Sequence, residues 1–183
     1  MSLIPTFRIG LLNAWIFIIP VIFVQIISGI IVFKRRGGGG QSGILAVIFL
    51  ILHILPVFLP LKFNTIWFYV GVVLYVAGMT ILLLAIHSFA VTPIDALVTR
   101  GILRYSRHPM YLGGFILMVG ISLVSISWIY FLISLIWVIL LNIMQIPGEE
   151  RECIEKYGTD YTEYMNRTPR WLGIPETVKS KQE

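Results

Sequence analysis

The sequence predicts an all-α integral membrane protein with five transmembrane helices, the last two a helical hairpin, and a short cytosolic C-terminal helical segment. Three observations predict this. Charged side chains make up 13% of the 183 residues, about half the roughly 25% usual in a soluble domain. Residues 10–33, 43–61, 65–86 and 110–146 carry no charge at all, so 102 residues are charge-free and the other 81 hold all 23 charges. These stretches are also continuously apolar, without the alternation of barrel strands. The composition excludes an ordinary water-soluble globule, because a helix of about 20 apolar residues is what crosses a bilayer core.

The first stretch is longer than the apolar run of a secretory signal and no small-residue cleavage site follows it, so it reads as a retained span. Lys34, Arg35 and Arg36 close it, and the glycine-rich run 37–43 follows. That run lacks the Lys-Ser/Thr ending and preceding strand of a phosphate-binding loop, and reads as a flexible connector. Residues 43–61 and 65–86 give the second and third spans. The fourth stretch has 37 residues; at roughly 55 Å it overshoots a hydrocarbon core of about 30 Å. It therefore reads as two spans turning near Ser125, Ile126 and Ser127.

Pro109 suits the first turn of the helix that opens the hairpin. Beyond the hairpin, residues 147–158 read as a separate short helix with an acidic first turn and a glycine stop at Gly158. A second short helix starts at Thr159 or Asp160 and ends before Pro169. Ile154, Tyr157, Tyr161, Tyr164 and Met165 are spaced to form one apolar-aromatic face. The chain reads as one membrane domain, with two spans in residues 1–64 and a core in residues 65–183.

Orientation follows from the basic residues beside the spans. With the N-terminus outside, twelve lie inside and two, Arg8 and Lys62, lie outside. Trp67, Tyr69, Trp128 and Tyr130 fit an aromatic belt at the outer interface. The net charge of +5 is mostly this topology signal, and no nucleic-acid partner is expected. A single cysteine, Cys153, excludes an internal disulfide and a multi-cysteine metal site; it reads as a buried helix residue, and no metal site is expected. His53 and His87 read as interhelical hydrogen-bonding groups.

The hairpin returns Arg107-His108-Pro109 and Glu149-Glu150 to the same inner surface. A cation, an imidazole and free helix N–H groups suit a carboxylate or phosphate. Paired carboxylates suit hydroxyls or an ammonium, and tyrosine faces suit a ring or a cation. S-adenosylmethionine carries a carboxylate, an ammonium, a ribose diol, an adenine and a positive sulfur, and uses every one of these groups. The simpler readings are that Arg107 is a topology anchor, Pro109 a helix starter, the glutamates a complement to a helix dipole and the tyrosines interfacial anchors.

Leu97-Val98-Thr99-Arg100-Gly101-Ile102, Ser106-Arg107-His108-Pro109-Met110-Tyr111-Leu112-Gly113, the Glu149-Glu150 pair and Tyr157-Gly158-Thr159-Asp160-Tyr161-Thr162-Glu163-Tyr164 recur in order. Together, over residues 89–175, they resemble the isoprenylcysteine carboxyl methyltransferase family, in the wider group that includes membrane phospholipid N-methyltransferases. The resemblance implies a cofactor pocket for S-adenosyl-L-methionine at the cytosolic face, roofed by the C-terminal segment, with a lipid substrate reaching it sideways between helices. His108, Tyr111 and Gly113 would border the donor, Arg107 its carboxylate, and Glu149 and Glu150 its polar part. Leu97, Val98 and Gly101 would supply backbone contacts, and Tyr161 and Tyr164 would pack near the closing segment. His108, Glu150 and Arg107 are the expected catalytic groups, and Arg170 the expected contact for a substrate carboxylate or phosphate.

Two other functions compete. Membrane sterol reductases that use NADPH share a pattern seen here as Glu150, Cys153 and Lys156-Tyr157-Gly158, but their chains are longer and have Asn in place of Met110. A small transporter or scaffold would place ionisable or helix-breaking groups at mid-membrane in several spans, where only Pro20, Pro56 and His53 qualify. The acceptor stays open between a prenylcysteine-like carboxylate, which needs no base, and a phospholipid amine, which must first lose a proton to His108 or a glutamate. Oligomeric state is not readable, although one donor site per chain needs no partner subunit.

Overall fold

The computed structural model describes residues 9–36 and 43–174. Among them every regular element is helical. In chain order these are α1 (Trp15–Arg36), α2 (Gly43–Ile54) with a 3-10 turn Leu55–Phe58, and α3 (Ile66–Ala90). A 3-10 turn Gly101–Arg104 leads to α4 (Pro109–Ser125) and α5 (Trp128–Leu140). A π-helical turn Leu141–Gln145 joins α5 to α6 (Ile146–Tyr157), and α7 (Thr159–Arg167) follows. The connector 37–42 and the basic residues Arg8, Lys179 and Lys181 lie outside the described residues.

Local chemistry sets the boundaries. Thr65 caps α3 by accepting from the Phe68 N–H at 3.3 Å, and Ser127 caps α5 by accepting from the Tyr130 N–H at 3.3 Å, each satisfying a donor the helix leaves open. The hairpin turns at Ser125, Ile126 and Ser127, as the span length required. Ile126 takes φ 50° there, and the Ser127 N–H closes the turn on the Ser122 carbonyl at 2.9 Å. Pro109 opens α4, while Gly158 ends α6 at φ 56° with its N–H on the Ile154 carbonyl.

One boundary differs from the expectation. Residues 147–158 are not a separate helix: α5, the π turn and α6 run on as one 30-residue helix, Trp128–Tyr157. The Ile146 N–H reaches back five residues to the Leu141 carbonyl. This wider turn re-spaces the bonds where Pro147, which has no N–H and whose ring crowds the preceding turn, would otherwise break the helix. At roughly 45 Å the continuous helix is longer than a hydrocarbon core of about 30 Å.

The closest packing joins α3 to α4. A Cβ on Gly71 would lie 2.7 Å from the Gly120 carbonyl oxygen, and one on Gly78 would lie 2.6 Å from that of Gly113. The two helices therefore touch backbone to backbone on two rungs seven residues apart, the small-residue packing of helices in lipid. This fixes the start of α4 beside the end of α3. The first two helices attach differently. Tyr130 Oη donates to the Leu52 carbonyl at 3.0 Å, an acceptor left open because Pro56 has no N–H four residues on. Tyr75 Oη donates to the Phe17 carbonyl at 2.8 Å, and Asn13 Nδ2 donates to the Val57 carbonyl at 2.7 Å.

Two helices, Ile66–Ala90 and Trp128–Tyr157, are long and apolar enough to cross a membrane, and Trp15–Ile31, Ile44–Phe58 and Pro109–Ser125 are shorter apolar helices. Large apolar side chains face outward along them, including Phe23, Val73, Leu132 and Ile143. Contiguous apolar surface on that scale marks contact with lipid or protein.

Candidate functional site

Three segments meet where α3 ends and α4 begins: the loop from Ser106 to His108, the turns of α6, and residues 168–173 after α7. The last of these is tied down as a strap. The Arg107 N–H donates to the Pro169 carbonyl at 3.0 Å, the His108 N–H to the Arg170 carbonyl at 3.3 Å, and the Gly173 N–H to the Tyr105 carbonyl at 3.0 Å. Beneath it, Tyr164 Oη donates to the Leu103 carbonyl at 2.7 Å.

Glu150 is the hub. It is buried, and its Oε2 accepts from Arg170 Nη2 at 2.7 Å. Its Oε1 lies 3.3 Å from His108 Nε2 and 3.0 Å from Arg107 Nη1. The Arg107 contact is one of charge, since that nitrogen is near but not aligned to donate; Arg107 Nε and Nη1 are buried with no hydrogen-bond acceptor. Arg170 also donates to Asn142 in the π turn at 3.4 Å. Neighbouring Glu149 accepts from Tyr111 Oη at 2.5 Å and from Gln145 Nε2 at 3.3 Å, and its Oε2 lies 3.7 Å from His108 Nδ1.

Above this cluster is a cavity of about 430 Å³, within the range of roughly 300–1,000 Å³ usual for small-molecule sites. Of the residues singled out in the sequence, Leu97, Val98, Arg107, His108, Tyr111, Glu149 and Tyr161 line it. Gly101, Gly113, Glu150, Tyr164 and Arg170 are not in its walls. Gly101 sits at φ 63°, where a Cβ would meet Ser88 Oγ at 2.5 Å, and Gly113 belongs to the α3–α4 contact. Arg170 is held by Glu150 and Asn142.

A phospholipid methyltransferase family model matches residues 67–160, just over half of the chain. The chain belongs to that family. A search of the curated proteins returns no match. Membership carries methyl transfer to a lipid substrate and, with the two membrane-capable helices, membrane association. The match begins near the start of α3 and ends in the first turn of α7, so it contains the loop, the hairpin and α6 and leaves the first two helices and the strap outside.

In this methyltransferase the charges of the cluster tune one another. Burial pushes the His108 imidazole below its usual value; the carboxylates of Glu149 and Glu150 oppose that, and Arg107 adds to it. For Glu150, beyond the charge-free part of its helix, burial pushes the carboxyl up, but the Arg170 hydrogen bond and the charges of Arg107 and Arg170 outweigh it, leaving a net shift downward. The resting pair is thus a neutral imidazole against an ionised carboxylate.

The wall also contains Met110 and Tyr157 from the quoted motifs, and Phe89, Leu103, Glu152, Cys153 and Lys156, which had not been singled out as donor contacts. The signal was present in α6: Glu149, Glu152, Cys153 and Lys156 follow the three- and four-residue spacing of one helix face. Cys153 is accordingly half-buried at a cavity wall. Ile154, expected on the aromatic face with Tyr161 and Tyr164, is exposed while both tyrosines are buried.

Proposed function

We propose that this chain is an S-adenosylmethionine-dependent methyltransferase that acts at the cytosolic membrane face on a lipophilic acceptor and holds its donor in the 430 Å³ cavity. One observation carries the reading. Arg107 lies in the wall of that cavity with two buried guanidinium nitrogens that have no hydrogen-bond acceptor. A buried orphan donor costs about 1–3 kcal/mol, and a carboxylate presented in the cavity would satisfy it. The mixed walls fit the rest of the same ligand, with Glu149 and Glu152 for hydroxyls or an ammonium and Leu97, Val98, Phe89 and Leu103 for an apolar ring.

When bound, S-adenosylmethionine supplies a methyl group activated by a positive sulfur. The chain's own residues bind and orient. Arg107 would hold the donor carboxylate, Tyr111 would fix Glu149, and Glu150 would hold Arg107, His108 and the strap residue Arg170 in one arrangement. The strap and the apolar walls would keep water away from the reacting atoms. Glu150 is thereby a positioning residue, and Arg170 joins the strap to it. The five-span topology, with the N-terminus outside and the C-terminus cytosolic, belongs to the same reading: it puts the cluster on the side where basic residues are retained.

The family match favours methyl transfer over NADPH-dependent reduction or a transporter or scaffold role. Calorimetry with S-adenosylhomocysteine on the detergent-purified protein tests the site. Binding is expected, with Arg107→Met and Glu150→Ala each weakening it at least about tenfold, the scale of a lost charge-assisted hydrogen bond. No binding by the unaltered protein, or unchanged affinity in both variants, would overturn it.

A further inference from the structure

Donor binding leaves one buried polar group without a use. Trp137 on α5 is 5% exposed, and among the described residues its indole Nε1 is buried with no hydrogen-bond partner. It is not one of the lining residues of the donor cavity. An indole nitrogen can only donate, and when buried it ordinarily finds an acceptor. On one side the Trp137 ring meets Tyr111 at a steep angle, centroids 6.5 Å apart, and Tyr111 is a wall of the cavity. On another it meets Phe49 of α2 at 6.1 Å, and the His53 ring backs Phe49 at 4.2 Å. Trp137 therefore stands in the seam between α2 and α5, one ring away from the donor.

The depth of this position selects the acceptor. Tyr111 is the third residue of α4 (Pro109–Ser125), so Trp137 lies about one turn inside the helix end that carries the polar cluster. In a bilayer that is where headgroups give way to acyl chains, the level of the glycerol esters and the level that tryptophan favours. Ile136 and Ile139 on α5, and Leu50 and Ile51 on α2, are exposed apolar side chains, a surface for acyl chains along both helices. The seam is pinned about two turns further along, where Tyr130 bonds to the Leu52 carbonyl; beside Trp137 it meets ring on ring.

We propose that Trp137 Nε1 donates to an ester carbonyl of a diacyl glycerophospholipid lodged in the α2–α5 seam, holding the substrate with its headgroup toward the cavity. This rests on the methyltransferase reading above. Family membership supplies a lipid substrate; the new element is the residue that grips its glycerol end and the linkage that residue reads. An ether-linked lipid of the same headgroup has no carbonyl to offer and is held less tightly. The phosphodiester oxygens are the other acceptors on such a lipid, and they are common to the ester and the ether forms.

Indole ¹H–¹⁵N NMR of the unaltered, detergent-purified protein with S-adenosylhomocysteine tests the contact. The chain has five tryptophans, and Trp137→Phe assigns the signal. Should that variant misfold, Trp15→Phe, Trp67→Phe, Trp128→Phe and Trp171→Phe assign it by elimination. Dioleoyl phosphatidylethanolamine should move the Trp137 Nε1 proton downfield, as a new hydrogen bond does, and the dialkyl ether lipid of the same headgroup should leave it in place. In turnover, KM should be about three- to tenfold lower for the diacyl lipid than for the dialkyl one, the scale of one neutral hydrogen bond, and Trp137→Phe should erase that difference. A KM difference that survives the substitution overturns the proposal. So does a shift with both lipids, which gives the contact to the phosphodiester, or a signal already downfield without lipid and unmoved by it, which puts a trapped water there. An unmoved Trp137 signal in protein that binds S-adenosylhomocysteine sinks this proposal alone; no S-adenosylhomocysteine binding removes the methyltransferase reading beneath it.

Discussion

The α3–α4 contact and the attachment of the first two helices are two solutions to holding helices together where lipid removes the hydrophobic drive between them. The first uses no side chains at its closest points: Gly71 faces Gly120 and Gly78 faces Gly113, leaving no room for a Cβ at any of them. The second uses single polar pins, from Tyr75 to the Phe17 carbonyl and from Tyr130 to the Leu52 carbonyl. The rigid contact lies inside the family match and carries the loop with Arg107 and His108. The pinned helices lie outside it and supply none of the cavity's lining residues. Precision is concentrated beside the cavity.

The sharpest way to break this contrast is Gly78→Val. Its Cβ would meet backbone atoms of Gly113 and Leu117 under 3.0 Å away, and backbone cannot rotate aside. A loss of about 3 kcal/mol is expected, read as a melting point lower by roughly 6–12 °C and with it weaker S-adenosylhomocysteine binding. Tyr130→Phe tests the other side. It removes one pin and leaves the buried Leu52 carbonyl unpaired, at about 1–2 kcal/mol, while S-adenosylhomocysteine affinity stays unchanged; a matching loss of affinity would show that the pinned helices shape the site after all.

A smaller effect comes from pH. His108 is held below its ordinary value of 6.5 and Glu150 below 4.5. In both cases the unfolded chain takes up protons before the folded one does. Their stabilisation is therefore complete above the unfolded value and is lost as the pH falls toward the folded one. Melting temperature should decline on acidification first below about pH 6.5 and again below about pH 4.5, and His108→Gln should shrink chiefly the first step. Smallest is Gly29→Ala in α1, where a Cβ meets nothing within 4 Å. It should stabilise by about 0.5–1 kcal/mol through helix propensity alone, the opposite sign to Gly78→Val.

The hairpin turn at Ser125 to Ser127, the start of α4 at Pro109 and the stop at Gly158 were legible because span length, proline and glycine act locally. The meeting of Arg107 and His108 with Glu149 and Glu150 was legible too, since two helices between them return the chain to the same side. What was not legible depends on contacts between distant segments. Nothing local marks the Tyr164 bond to the Leu103 carbonyl, or the strap lying on the 105–108 loop. Gly113 sits among ligand-facing motif residues, and only its distance to Gly78 reveals it as a packing residue. Of the two adjacent glutamates, helix phase turns Glu149 to the cavity and Glu150 beneath it, a distinction the pair itself does not announce.

The π turn at Leu141–Gln145 has a consequence for how the chain tolerates change. A turn with five-residue bonds takes up about one residue more than an α turn for the same rotation. The helix before it and the helix after it are therefore out of phase by one residue in sequence while in phase in space. Deleting a single residue inside the turn would convert it to ordinary helix and leave both flanks pointing as they do now. The same deletion just after Pro147 would swing Glu149 and Glu150 by about 100° around the axis. The turn works as a slack link between the segment facing lipid and the segment facing the cluster, letting the two vary in length without dragging each other out of alignment.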